Sequence, residues 1–186
     1  MRSDALQRRA RILHTARELF AEHGANVAME LIAESSQVGI GTLYRNFSDR
    51  TQLVEEVTID MLGEVKQAAQ TALEGLEKQD PDAWQRFISH LLDLNLGALA
   101  EALGILLPAS VSDKVMTPQR EVAVLVQQCL EAAKAQKLVR EDLTGNELIT
   151  GIGIVTRPLP RVFSAAAPGL RERLTSIMLD GFAPRS

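Results

Sequence analysis

The chain has 186 residues, 46% hydrophobic, 24% charged and 4% aromatic, with a formal net charge of −4. That balance fits one packed unit, or a small head on a larger body, and excludes a disordered polyelectrolyte. The longest stretch without a charged residue, Ala102 to Ser112, has eleven residues, well short of the roughly 20 needed to span a bilayer, so no membrane partner is expected.

In chain order, Ile12, Leu13, Ala16, Leu19 and Phe20 recur at helical spacing and stop at His23-Gly24, where glycine supplies a left-handed residue past a helix end. A compact second helix from Met29 to Ser35 turns Met29, Ile32 and Ala33 inward. After a break of about three residues a third helix starts near Gly39 and directs Leu43 and Phe47 to the same core. Two short helices about one tight turn form the helix-turn-helix layout, whose second helix enters the DNA major groove. Ser48 or Asp49 then caps a long helix with Leu53, Val54, Val57, Met61, Val65, Ala69, Ala72 and Leu76 on one side. Roughly 28 residues at about 1.5 Å each reach about 40 Å, enough to join a head to a body.

Gly75 to Asp82 is the first break, and Asp80-Pro81 reads as an N-cap followed by a first-turn proline. The helix it opens carries Trp84, Phe87, Ile88, Leu91, Leu92 and Leu94. A second apolar helix covers Ala98 to Leu107 and ends at Pro108, and Thr117-Pro118 reads as the start of another, with Val122, Leu125, Val126, Cys129, Leu130 and Ala133 inward. Thr144 and Glu147 have capping-box spacing ahead of Leu148, Ile149, Ile152 and Val155, and Pro158 and Pro160 end that helix. Leu170, Leu174, Ile177, Met178, Gly181 and Phe182 mark the last. No segment alternates with period two, so the expected fold is all-α. A three-helix head over 1–52 is joined by the long helix to a helical bundle over 53–186, about nine helices in all.

Charge is unevenly divided. Residues 1–50 hold seven arginines against six acids, while residues 51–186 hold thirteen Lys and Arg against eighteen acids. A head that accepts phosphates on a body that repels them orients a molecule on DNA. Within the third helix, Gly39 and Gly41 allow close backbone approach, and Ile40 opens the groove-facing edge. Thr42 offers a hydroxyl and a methyl, Tyr44 a phenol suited to a phosphate oxygen, and Arg45 and Arg50 flanking charge.

The first helix, I-A-E-S-S-Q-V-G-I-G-T-L-Y-R-N-F and S-D-R-T-Q-L together resemble the DNA-binding head of the TetR/AcrR family over residues 8 to about 57. The resemblance implies a DNA-binding regulator in which Thr42, Tyr44 and Arg50 touch the DNA backbone. Three positions depart from it: Gln37 stands where glycine is usual in the turn, Gly39 where a capping Ser or Thr is usual, and Glu30 where many relatives present a basic or polar group. Those departures leave open a second reading, a dimeric small-molecule sensor or interaction module with weak or lost DNA binding. The body, through G-A-L-A-E-A-L, K-L-V-R-E-D-L-T and V-T-R-P-L-P, more loosely resembles the variable ligand-binding half of the same family.

A small-molecule effector is expected in an apolar cavity lined by Phe87, His90, Leu91, Leu94, Met116, Val126 and Cys129, with His90 the polar group and Met116 in a loop at the entrance. A helix-turn-helix head needs a two-fold partner to match half-site spacing. A homodimer is therefore expected, seamed by the glycine-bearing helix at 145–153 and the last helix.

Catalysis is not expected. Gly39-x-Gly41 has Tyr44 at the third glycine position of a dinucleotide loop, and His14, His23 and His90 lack metal-ligand spacing. No cofactor and no metal are anticipated. The single Cys129 and the lack of an apolar leader fit a reducing cytoplasmic location.

Overall fold

The computed structural model describes residues 2–97, 100, 112–157 and 166–184. Among them are eight α-helices, one 3-10 turn and no strand. We number the helices α1 (Arg2–His23), α2 (Met29–Ser35), α3 (Ile40–Asn46), α4 (Arg50–Glu77), α5 (Ala83–Asp93), α6 (Asp113–Ala135), α7 (Gly145–Val155) and α8 (Leu170–Phe182), with the 3-10 turn at Gly24–Asn26. Apart from Ala100, the helix expected over Ala98 to Leu107, and the stops expected at Pro108, Pro158 and Pro160, lie outside the described residues, so eight helices stand where about nine were expected.

The head forms because four short apolar faces meet. Ile12, Leu13, Ala16 and Phe20 of α1 pack with Met29, Ile32 and Ala33 of α2, Leu43 of α3, Phe47, and Leu53, Val54 and Val57 of α4, all buried in one cluster. Asp49, rather than Ser48, caps α4: its carboxylate accepts from the Gln52 backbone N–H at 2.8 Å. That bond, followed by one from the Ser48 hydroxyl, holds the Asp49 carboxyl below the usual carboxylate range. Upstream, α1 begins at Arg2, ten residues before the apolar pattern, with Asp4 to Arg8 all exposed. Ala5, Leu6, Gln7 and Arg8 favour helix intrinsically, so the helix continues with no core beneath it.

In α4, 28 residues run unbroken from the head into the body, burying every residue the periodicity assigned to that side. Its distal half packs against α5 and α6, α6 meets α7, and α7 meets α8. The apolar cluster is continuous from Ile12 in the head to Ile152 in α7. Leu130, Ala133, Val139 and Leu143 form a smaller cluster, and Trp84 and Phe182 pack against both.

Two helix starts differ from the expected ones. The first is at α6, which begins at Asp113, so Pro118 is its sixth residue and Met116 lies within the helix rather than in a loop. Proline there removes only the bond to the carbonyl of Lys114, an exposed residue, at the cost of one helical hydrogen bond. The second is at α5, which begins at Ala83 instead of Pro81. The Asp80 carboxylate accepts from the Asp82 N–H at 3.0 Å and pairs with Arg86 at 2.5 Å, so it caps a preceding turn instead of the helix. At α7 the capping box is present as spelled, with reciprocal bonds between Thr144 and Glu147.

One glycine fastens two parts of the body. A Cβ on Gly97 would lie 1.9 Å from the Gly153 carbonyl oxygen, and the Gly97 N–H donates to the Thr156 hydroxyl at 2.9 Å. Only a bare backbone brings the segment after α5 against the end of α7 this way.

Candidate nucleic-acid interface

The turn that aims α3 is built from Ser36, Gln37 and Val38. Ser36 is fully buried; its hydroxyl donates to the Ile32 carbonyl at 2.6 Å, and its own carbonyl accepts from the Arg11 guanidinium at 3.0 Å. Gln37, standing where glycine is usual, adopts φ 56°, a left-handed conformation. Its N–H bonds the Glu34 carbonyl and that of Val38 the Ala33 carbonyl, both at 2.9 Å, so α2 closes and the chain reverses. A side chain in this region costs about 1 kcal/mol relative to glycine. Gln37→Gly is therefore expected to raise Tm by about 2–4 °C in a thermal melt followed by circular dichroism; a lower Tm would contradict the strain argument.

Gly39 then takes an extended N-cap conformation without a side-chain cap, as its residue type requires, while its carbonyl accepts from the Thr42 N–H at 2.8 Å and the Leu43 N–H at 3.1 Å. A Cβ built on Gly39 or Gly41 would meet nothing within 4 Å. The protein's own packing does not demand glycine at either position; the bare backbone faces outward.

One side of α3 is locked and the other is open. Leu43 and Phe47 are fully buried, and the Arg9 guanidinium lies 5.0 Å from the centre of the Phe47 ring. Ile40 and Tyr44 are 39% and 45% exposed, among the largest apolar exposures in the head. Gly39, Ile40, Gly41, Tyr44 and Arg45 are all exposed, with Thr42 half-exposed among them. The Thr42 hydroxyl accepts from the Arg45 guanidinium at 2.9 Å, and the Asn46 amide donates to the Thr42 carbonyl at 2.8 Å. Arg50, the remaining expected contact, is half-buried and donates to the Val27 carbonyl. The face therefore offers bare backbone, two hydroxyls and an apolar edge, with its cations held by neighbouring oxygens.

In the body, Phe87, Leu91, Leu94, Val126 and Cys129 are all buried in the one cluster. Met116 is half-buried near the start of α6. His90 is exposed on the other side of α5, where it lines a shallow open trough with Asp82, Gln85, Arg86, Ser89 and Asp93. The structure does not bring His90 together with the apolar five. Burial pushes the Cys129 thiol up to about 11, so at neutral pH it is a protonated donor, 3.1 Å from the Ala69 carbonyl, and not a nucleophile. Among the described residues no group of three or more His, Cys, Asp or Glu is placed to hold a metal, and no helix is long and apolar enough to cross a membrane.

The contribution of α1 was missed in the sequence. Arg9 and Arg11 fasten this helix to Phe47, just past α3, and to Ser36, just before it. The signal was the four arginines in residues 2–11, which look like a solvated run until their partners are seen.

Known proteins share these features. Residues 12–57 match a family model described as bacterial regulatory proteins, tetR family. Over 54 residues the chain is 46% identical to an HTH-type transcriptional regulator of Staphylococcus aureus, a match spanning 28% of this chain and 29% of that protein. Thus the chain covers less than a third of that relative's length. Two crystal structures align along nearly the whole chain. One is a TetR transcriptional regulator from Streptomyces coelicolor, 25% identical with a TM-score of 0.64, covering 96% of this chain and 99% of that one. The other is a TetR transcription regulatory protein from Mycobacterium vanbaalenii, 27% identical with a TM-score of 0.65, covering 98% of each.

Proposed function

The chain belongs to the TetR family of bacterial regulatory proteins, and on that premise we propose that it is a homodimeric, ligand-responsive transcriptional repressor that binds a palindromic operator. The observation that carries this reading is the two-sided character of α3. Leu43 and Phe47 fix the helix to the head while Ile40 and Tyr44 stand exposed beside outward-facing Gly39 and Gly41. Two such helices, related by a two-fold axis, would enter successive major grooves. Thr42 and Tyr44 would hold phosphates, Ile40 would touch base edges, and Arg45 and Arg50 would add charge.

An apolar effector would have to open space among Phe87, Leu91, Leu94, Val126 and Cys129, which pack in the core cluster, with Met116 at the margin and His90 contributing only if the effector reaches the outer side of α5. An effector that prefers the dimer state with the wrong head separation draws the population off DNA. A coupling of about 1–3 kcal/mol lowers operator affinity roughly 5- to 150-fold.

Selection of bound duplexes from a random pool tests the whole reading, and a palindrome with half-sites about one helical turn apart is the expected product. On the selected site, Tyr44→Phe is expected to weaken binding on the order of a hundredfold across all sequences, since the dimer loses two hydrogen bonds to charged groups, each worth about 1.5 kcal/mol. Thr42→Ala should lose only a few-fold. Unchanged affinity in both variants, measured by fluorescence anisotropy, removes the assigned contacts. Binding without salt dependence would favour the sensor module with lost DNA binding instead.

A further inference from the structure

Five of the seven arginines in residues 1–50 are engaged within the head and its joint to the body. Arg9 pairs with Glu56 at 2.7 Å, Arg11 with the Ser36 carbonyl at 3.0 Å, Arg17 with Glu64 at 2.6 Å, Arg45 with the Thr42 hydroxyl at 2.9 Å, and Arg50 with the Val27 carbonyl. Arg8 is different: it is exposed and has no ion pair or hydrogen bond among the described residues. Asp4, one turn earlier, has an interaction of its own.

The place of Arg8 is set by its neighbours. It lies three residues before Arg11, on the same stripe of α1, and Arg11 is fastened to the residue just ahead of the turn into α3. Arg9, next in sequence, is fastened over the ring just past the end of α3. The first turns of α1 therefore precede two side chains that reach the residues flanking α3, with Asp4 to Gln7 exposed and Leu6 at 69%. Arg45 and Arg50 keep their charge on neutral oxygens but have their N–H groups partly engaged, whereas Arg8 is an uncommitted guanidinium on the same head.

We propose that the exposed start of α1 is a second DNA-contacting surface, in which the Arg8 guanidinium grips a backbone phosphate flanking the bases read by α3. The inference rests on the DNA-binding reading above and extends it beyond the helix-turn-helix. A guanidinium meets two phosphate oxygens at once, fixing register without reading sequence.

The test uses the full chain and the selected operator duplex, with anisotropy titrations at several KCl concentrations. Each phosphate contact contributes about 0.9 to the slope of log affinity against log salt, so Arg8→Ala in a dimer should lower that slope by about 1.8. Operator and scrambled duplex should weaken equally, Arg8→Lys should retain most of the slope, and Tm should stay at the wild-type value. A wild-type slope in Arg8→Ala, or a fall in its Tm, overturns the proposal alone. Absence of salt-dependent binding in the wild-type protein overturns this proposal together with the DNA-binding reading.

Discussion

Replacing Phe47 with alanine is expected to destabilise the protein by about 3–5 kcal/mol and to abolish operator binding at micromolar concentration. Phe47 is fully buried and is the residue at which α3 ends. Its ring fills the junction between α1 and the start of α4, and Arg9 covers one face. Removing it forfeits the transfer free energy of the ring and leaves a cavity between helices too short to collapse around it. Against a total stability of about 5–15 kcal/mol, such a loss leaves α3 without fixed support. Urea titration checks this with two probes, far-UV circular dichroism for all helices and the fluorescence of Trp84, the only tryptophan, for the body. Because the apolar cluster runs unbroken along α4, both probes should shift together to lower urea. A loss below about 1 kcal/mol would show that the ring is not the keystone of the head.

The parts legible in the sequence were those fixed within a few residues. The helix-turn-helix, the left-handed Gln37, the uncapped Gly39 and the Thr144 box each follow from local backbone chemistry, and each is found where the residues put it. The long α4 was legible for a related reason, since its buried stripe repeats without interruption over about eight turns. Starts marked by proline were less so. A proline at the sixth position of α6 is tolerated in the first turns of a helix on an exposed stretch, something no residue pattern records. The exposed start of α1 has no apolar face to announce it.

His90 shows a finer difficulty. With about 100° between successive residues, the buried arc of α5 runs from Leu94 through Phe87 and Leu91 to Ile88. His90 falls just beyond its edge, beside Arg86 and Asp93, so one step around the helix decides between cavity and surface. The partners of the arginines were least legible of all, because Val27 and Ser36 accept through backbone oxygens that carry no sequence signature.

In the proposed homodimer, Ile177→Glu is expected to separate the two copies and to lower operator affinity at least a hundredfold. The last helix, α8, has no buried residue of its own, with Ile177 64% and Leu174 43% exposed, and Ile154 of α7 is 69% exposed. Yet α8 is firmly placed. Its inner side meets α7 at Gly151, where a Cβ would stand 3.0 Å from the Met178 sulfur and 3.2 Å from the Phe182 ring. Its end is held by Arg140, whose N–H donates to the Phe182 carbonyl at 2.9 Å and whose guanidinium donates to that of Gly181 at 3.2 Å. A fixed helix with an open apolar stripe fits a two-fold seam, in which α7 and α8 of each copy form a four-helix layer. Two-fold symmetry doubles every substitution, so one glutamate places two unpaired carboxylates in the same desolvated layer, at several kcal/mol each. The side chain is exposed within the protomer, so folding should survive, and an unchanged helical signal verifies that. Light scattering after size exclusion reads the assembly state, and anisotropy reads the operator. A variant that stays dimeric at micromolar concentration would move the seam away from α8, whereas a folded monomer that loses the palindrome but keeps weak half-site binding would tie the two-fold axis of the operator to this stripe.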